Sequence, residues 1–154
     1  MKNNPVLRKY LFMTFMLSGM VLFFSACRTS KESVRNQPAL LKERYWVLES
    51  IESESIPQGT VTPYIAFDTN GRYHGNFGCN NFFGSYYAGK KKITLDYAGA
   101  TKMLCGDMRT EKAFQNALKR GISHYRIEHN TLYLIEDKKD IMVFRATDSI
   151  PGRR

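Results

Sequence analysis

The sequence has few of the residues from which most active sites are built. It holds three cysteines and three histidines, it contains no CxxC pair, and the histidines do not have the spacing of metal ligands. A catalytic base also needs a positioned partner, and no serine or cysteine nucleophile motif accompanies His74, His124 or His129. These absences argue against a metal site and against an enzyme.

Other absences restrict the fold. The chain has no internal repeat and no low-complexity tract, and strand and helix patterns do not alternate along it. This pattern counts against a Rossmann-type domain, which needs that alternation. Gly71, Gly75 and Gly78 are spaced like a glycine-rich loop, but they lead from a hairpin into a strand, whereas a phosphate-binding loop leads into a helix N-terminus. We expect no cofactor.

The sequence also lacks an apolar run long enough for a typical membrane span. Its one apolar segment, Tyr10 to Phe24, has about 15 residues where a span takes about 20. Basic residues precede this segment and Ser25-Ala26-Cys27 follows it, which is the order of a secretory signal peptide.

A cysteine in that position resembles the bacterial lipobox, in which the cysteine is acylated and the signal is cut before it. Phe24 stands where leucine is commonest. We expect lipidation at Cys27, and the alternative is a plain transmembrane anchor. Two or more acyl chains on Cys27 would anchor the protein stably to a membrane.

These expectations divide the chain into four parts. Residues 1–26 are the signal peptide, 27–43 a flexible polar tether from the lipidated Cys27, 44–146 one globular domain, and 147–154 a polar tail. The whole chain carries 23 basic and 14 acidic residues, a balance that suits contact with anionic lipid or polysaccharide. Nucleic acid is not expected as a partner, because the signal directs the protein to the bacterial cell envelope, at the outer membrane.

Two cysteines remain once Cys27 is set aside. In an oxidising compartment we expect Cys79 and Cys105 to form a disulfide. The chain-entropy model gives such a loop roughly 3–4 kcal/mol of stabilisation. Two free buried thiols, or half of a metal site, are the alternatives.

The globular part has the pattern of many short strands. Apolar alternation and β-forming residues predict strands at 44–52, 64–67, 72–77, 82–87, 92–97, 124–128, 131–135 and 141–145. Asn70-Gly71 predicts a type I′ hairpin turn, and Gly84 predicts a bulge. One amphipathic helix is predicted from about Met108 to Gly121, with Asp107 as N-cap. The fold class is mainly β (α+β): a small antiparallel β-barrel or curled sheet with one amphipathic helix packed on it.

Two motifs in this domain are specific, Gly78-Cys79-Asn80-x-Phe82-x-Gly84 and Thr101-x-Met103-x-Cys105. With Trp46 in the first strand and Gly71 in the hairpin, they resemble the META domain of HslJ-like bacterial lipoproteins. The resemblance covers about residues 45–145. It implies a mostly antiparallel β-barrel with one helix, association with the envelope and no established catalytic residues. The motif positions are then structural: Trp46, Gly71, Gly78, Asn80, Phe82, Gly84, Thr101 and Met103.

Two functions follow from these expectations. The first is a non-catalytic, membrane-anchored envelope lipoprotein that serves as a stress-related protein-interaction module. The alternative is a carrier or sensor that holds a lipid or small hydrophobic molecule in the barrel. A cavity large enough for an acyl chain would favour the carrier. A filled core with outward aromatic residues would favour the interaction module. The candidates for those outward residues are the aromatic residues of two neighbouring predicted strands: Tyr73, Phe77, Phe82, Phe83, Tyr86 and Tyr87.

Overall fold

The structure, a computed structural model, describes residues 37–42, 44–57 and 61–151. The predicted signal peptide, Cys27 and the first part of the tether lie outside the described residues, as do the last three residues of the tail. Neither helix in the described ranges is long and apolar enough to cross a membrane.

The described residues form two helices and nine strands. In chain order these are α1 (Gln37–Lys42), β1 (Tyr45–Ile51), β2 (Glu54–Ser55), β3 (Tyr64–Phe67), β4 (Arg72–Asn76), β5 (Asn81–Ala88), β6 (Ile93–Ala100), α2 (Arg109–Leu118), β7 (His124–Glu128), β8 (Thr131–Glu136) and β9 (Lys139–Thr147). The predicted strands are confirmed with small shifts at their ends. The sequence analysis did not predict β2, which has only two residues.

All nine strands belong to one antiparallel sheet. Eight of them follow the order β6-β5-β4-β3-β1-β9-β8-β7, and β2 pairs with β1. The two ends of this order approach each other through a bridge between Lys92 and His124 and a 3.1 Å bond from the Ile93 N–H to the Ser123 carbonyl. Such a short contact does not close the hydrogen-bond ladder. The predicted curled sheet is therefore confirmed, and a closed barrel is wrong.

The segment before β1 differs from the flexible tether that was predicted for residues 27–43. Residues 37–42 form the helix α1, in which Leu41 is fully buried. The indole N–H of Trp46 donates to the Leu41 carbonyl at 3.0 Å, and the Gln37 amide donates to the Ile127 carbonyl at 3.4 Å. Burial of Leu41 supplies hydrophobic free energy that a polar tether lacks. The folded part therefore begins before residue 44.

The helix α2 confirms the predicted amphipathic helix, although it is shorter at both ends. The residue in the N-cap position is Met108 rather than Asp107, and it makes no side-chain capping bond. Asp107 instead accepts the Arg109 N–H at 2.9 Å, which is a local turn ahead of the helix. The buried face of α2 carries Phe114, which meets the Phe82 ring edge to face at 5.4 Å. This contact seats α2 on the sheet.

The interior of the curled sheet is filled by aromatic side chains. Phe77 stacks on Phe82 with ring centroids 4.0 Å apart, and Phe114 lies across both rings. Such ring pairs contribute energy beyond their buried area. The largest fully buried side chains are Trp46, Tyr73, Tyr125, Phe77, Phe82, Phe114 and Phe144.

The turn between β3 and β4 is not the type I′ turn that Asn70-Gly71 predicted. Only Gly71 has a positive φ, +75°. The Asp68 carboxylate accepts hydrogen bonds from the N–H groups of Asn70 and Arg72, both at 2.8 Å. These bonds between the side chain and the nearby backbone favour a different turn. Two successive positive φ values occur instead in two other turns, at Glu52 (+49°) and Ser53 (+70°) between β1 and β2, and at Asp137 (+46°) and Lys138 (+68°) between β8 and β9.

We expect Lys138→Gly to stabilise the fold by about 0.5–1 kcal/mol, because a side chain at positive φ is strained and glycine is not. Urea unfolding followed by Trp46 fluorescence measures the change. Lys138→Ala is the matched control, since it removes the charge and keeps the Cβ. An equal gain from Lys138→Ala would show that backbone strain is not the cause.

The Tyr73 hydroxyl is buried, and it has no hydrogen-bond partner among the described residues. Its burial raises the pKa of Tyr73. A buried hydroxyl without a partner is destabilising, so Tyr73→Phe should stabilise by about 1 kcal/mol. The control is Tyr86→Phe, which removes a 2.6 Å bond to the Asp68 carbonyl and should destabilise by about 1 kcal/mol. Urea unfolding should show opposite signs, and two changes of the same sign would contradict this reasoning.

Candidate functional site

A buried hydrogen-bond cluster is centred on Asn80, which is only 1 % exposed. Its side-chain amide donates to Oε1 of Glu111 at 2.9 Å and to the Met103 carbonyl at 3.0 Å. Its side-chain oxygen accepts the Met103 N–H and the Thr101 hydroxyl, both at 2.7 Å. The Asn80 N–H donates to Oε2 of Glu111 at 2.9 Å. One residue thus links the start of β5, the segment after β6 and the helix α2.

The structure brings three of the motif residues together in this cluster: Asn80, Thr101 and Met103. It adds Glu111, whose role the sequence analysis missed. An acidic residue in the first turn of a helix ordinarily signals a favourable contact with the helix dipole, so the sequence carried no sign of a buried partner. The polar atoms of Asn80 are all used inside the protein, and the cluster is therefore structural.

The other motif residues serve packing and turns. Trp46 is fully buried, Phe82 is 1 % exposed in the aromatic core, and Gly71 and Gly78 have φ values of +75° and +110°. Such positive φ values favour glycine. Gly84 follows a register shift in the pairing of β5 with β6, which confirms the predicted bulge.

The structure pairs Cys79 with Cys105 in a disulfide, as predicted, with the two Cα atoms 6.3 Å apart. Free thiols and half of a metal site, the two alternatives, are therefore wrong. We call Thr101–Asp107 the disulfide loop. All seven of its residues are exposed. The disulfide and Asn80 both tie this exposed loop to the buried Gly78–Asn80 turn.

A groove of about 920 Å³ lies beside the disulfide loop, and we call it the disulfide groove. The β1–β2 hairpin and Val61–Pro63 form one side, and the disulfide loop with the first turn of α2 forms the other. Its apolar lining includes Ile51, Ile56, Val61, Pro63, Phe77 and Met103. The groove is open along one side, so it differs from the enclosed barrel cavity that a carrier was expected to have.

Large apolar side chains are exposed at this groove. Met103, which lines the groove, is 54 % exposed, and Val61 on the opposite wall is also exposed. Leu104, the neighbour of Met103 outside the lining, is 99 % exposed. The rim carries charges of both signs. Asp107 pairs with Arg109 at 2.7 Å, and that guanidinium lowers the pKa of Asp107 to about 2.

The three histidines are not brought together. His74 lies on β4, His124 at the start of β7 and His129 in the β7–β8 turn, all exposed. His124 Nδ1 lies 2.9 Å from the hydroxyl of its neighbour Ser123. Across residues 37–42, 44–57 and 61–151, no group of three histidine, cysteine or acidic residues could hold a metal ion.

A family model described as META domain matches residues 39–149. A protein solved by NMR is 22 % identical with a TM-score of 0.56, over 72 % of this chain and 95 % of that chain. A second NMR structure, of a protein from Burkholderia xenovorans, is 23 % identical with a TM-score of 0.55, over 72 % of this chain and 86 % of that chain. These two likenesses show the fold alone. No curated protein matches the chain.

Proposed function

The chain belongs to the META domain family, and from that premise we propose that it is a non-catalytic interaction module of the bacterial cell envelope. Its binding surface is the disulfide groove together with the side chains of Met103 and Leu104. The observation that carries this proposal is the exposure of these two neighbouring apolar residues, of which Met103 lines an apolar groove. Exposed apolar surface of this kind marks interaction sites.

The way the loop is held supports the proposal. Asn80 binds Met103 through the backbone N–H and carbonyl only, which leaves the methionine side chain free to contact a partner. The adjacent disulfide between Cys79 and Cys105 restrains the same loop. A loop that is already ordered loses little conformational entropy on binding. Leu104 is thus presented to a partner at a small entropic cost.

The occupant we propose is an extended, apolar segment of a partner protein. Among the described strands β2 pairs with β1 alone, and Glu54 and Ser55 of β2 line the groove. A free strand edge can add a partner strand by main-chain hydrogen bonds, while its side chains fill an adjoining pocket. The rim holds Glu54, Asp107 and Arg109, and charges of both signs suit a peptide better than the headgroup of one kind of lipid.

Anchoring belongs to the same proposal. The apolar segment at residues 10–24 and the following Cys27 support a lipid anchor at the outer membrane. A lipid anchor would hold the groove close to the membrane, where envelope proteins are its available partners. A role in the stress response is part of this proposal and rests on the family resemblance.

A carrier of a lipid or small hydrophobic molecule is the second candidate. The volume of the groove, about 920 Å³, favours it, because small-molecule pockets span about 300–1,000 Å³. Against it, aromatic rings such as Phe77 and Phe82 fill the interior of the sheet. An acyl chain would therefore have to lie in the open groove, where part of it stays in water.

The test is photo-crosslinking in bacterial cells, with a photoreactive side chain placed at Leu104 of the full chain. We expect one protein adduct of defined mass from position 104 and none from the control position Lys138, which lies in the β8–β9 turn. Met103→Glu should abolish the adduct, because a carboxylate opposes burial against an apolar partner. Adducts that persist in Met103→Glu, or that form equally from position 138, would refute the proposal.

Native mass spectrometry with lipid extraction separates the two candidates. A bare protein mass agrees with the interaction module. A stoichiometric bound lipid, together with lipid adducts rather than protein adducts from position 104, would establish the carrier instead.

A further inference from the structure

Two large aromatic side chains are exposed on one face of β5, away from the disulfide groove. Tyr87 is 76 % exposed and Phe83 53 %. Along β5 exposed and buried residues alternate, and Phe82 and Tyr86 point into the core. Of the aromatic residues that the sequence singled out, Phe83 and Tyr87 are the ones that point outward from β5.

A row of polar side chains crosses the sheet between these two rings. Arg72 of β4 pairs in register with Ser85 of β5, and Ser85 pairs with Asp96 of β6. All three residues are exposed. Neither Arg72 nor Asp96 has a side-chain hydrogen bond or ion pair within the described part of the chain. The row therefore offers a guanidinium, a hydroxyl and a carboxylate to an external ligand. We call Phe83, Tyr87 and this row the outer platform.

We propose that the outer platform binds an extended, neutral glycan chain. The C–H face of a pyranose ring is apolar and packs on an aromatic ring, while its hydroxyl groups both donate and accept hydrogen bonds. Arg72 only donates, the Asp96 carboxylate only accepts, and Ser85 does both. Phe83 and Tyr87 are four residues apart, or about 13 Å along the strand. One glycan chain of a few pyranose units can therefore contact both rings and the row between them.

The charge of the row selects this ligand over single-stranded nucleic acid. Bases also stack on exposed aromatic rings, and a basic groove must then follow the phosphates. In the outer platform Asp96 pairs with Ser85, which stands midway between Phe83 and Tyr87 on β5, and its carboxylate would repel a phosphate. One cation and one anion leave the row without net charge, which matches a ligand rich in hydroxyl groups. The outer platform shares no residue with the disulfide groove, and the inference goes beyond the function proposed above.

The probes are β-1,4-linked tetrasaccharides of glucose and of N-acetylglucosamine, titrated into the full chain and followed by NMR. Because residues 10–24 are apolar, the protein is kept in a detergent without a sugar headgroup. We expect saturable binding of at least one tetrasaccharide. The shifts should centre on residues 72, 83–87 and 94–96, and the indole signal of Trp46 in the core should stay unchanged.

Three matched variants test the rings. Tyr87→Thr and Phe83→Thr should each weaken binding about fivefold to tenfold, which is the value of one good aromatic contact. Tyr133→Thr is the control, because Tyr133 is an outward aromatic residue on β8, under Arg126. It should bind like the unaltered protein. Threonine suits strands, and a native indole signal from Trp46 reports that each variant is folded.

Two variants test the polar row. Asp96→Asn and Arg72→Gln should each weaken glycan binding several-fold. Neither variant should bind the anionic oligothymidylate more tightly than it binds the sugars. Three results would overturn the inference. The first is no binding of either tetrasaccharide, and the second is equal binding by the Phe83→Thr/Tyr87→Thr double variant. The third is tighter binding of an oligothymidylate than of either sugar, which would assign the platform to nucleic acid.

Discussion

Gly84→Ala is expected to destabilise the domain by about 3 kcal/mol or more. A Cβ at position 84 would lie 2.1 Å from the Asp96 carbonyl oxygen and 2.5 Å from the Tyr73 ring. The Asp96 carbonyl is backbone within the β5–β6 ladder, so it cannot move without loss of strand pairing. The Tyr73 ring is fully packed in the core and has no free space to enter.

The control for this prediction is Gly106→Ala. A Cβ at Gly106 would meet no atom within 4 Å, and its φ is not positive. We expect a change within about 0.5 kcal/mol. Urea unfolding of both variants, followed by Trp46 fluorescence, gives the comparison. If Gly84→Ala unfolds at the same urea concentration as the unaltered protein, the claim that β6 leaves no room for a Cβ at position 84 is wrong.

Asn80→Ala is expected to destabilise by about 3 kcal/mol. The substitution removes both hydrogen bonds to the Met103 backbone and the amide donor to Glu111. It leaves a buried carboxylate with one hydrogen bond fewer, and loss of a partner is severe for a charged group in the interior. The disulfide loop should also lose order, because Met103 loses both of its bonds to the Asn80 side chain. The loop then keeps the disulfide and the bonds between Thr101 and Asn81.

A double-mutant cycle tests the cause. Glu111→Ala alone should also destabilise, and Asn80→Ala/Glu111→Ala should be less destabilised than the sum of the two by about 1–3 kcal/mol. Asn81→Ala is the neighbouring control, since the exposed Asn81 side chain accepts a single bond from Asn76 at 2.9 Å. Its effect should be about 1 kcal/mol. Strict additivity of Asn80→Ala and Glu111→Ala would contradict the proposed coupling.

Local pattern was sufficient to predict most of the strands. Alternation along Phe82–Tyr87 places one residue in two in the core, and a strand needs no further information for its two faces to be assigned. Tyr64–Phe67 is a strand with the predicted bounds. The helix α2 was predicted for a similar reason, because its apolar residues recur at helical spacing.

Local pattern failed where distant residues decide the conformation. Residues 37–42 lie in a polar stretch of the sequence. They form a helix because Leu41 is buried beside Trp46, whose indole N–H donates to the Leu41 carbonyl. The Asn70-Gly71 pair favours a type I′ turn in isolation, and the nearby Asp68 carboxylate overrides that preference. Glu111 has the sequence context of an exposed helix residue, and Asn80 makes it a buried one.

The sequence by itself determined the mainly β class, most of the strand positions and the family resemblance, because each depends on residue type and spacing along the chain. It predicted the pairing of Cys79 with Cys105, and the structure decided between that disulfide and its alternatives. The tertiary structure alone decided that the sheet stays open, that Met103 lines a groove and that its neighbour Leu104 is exposed. It alone decided that Arg72, Ser85 and Asp96 form one row. Those features depend on strand register and on contacts between residues far apart in sequence, which no local pattern encodes.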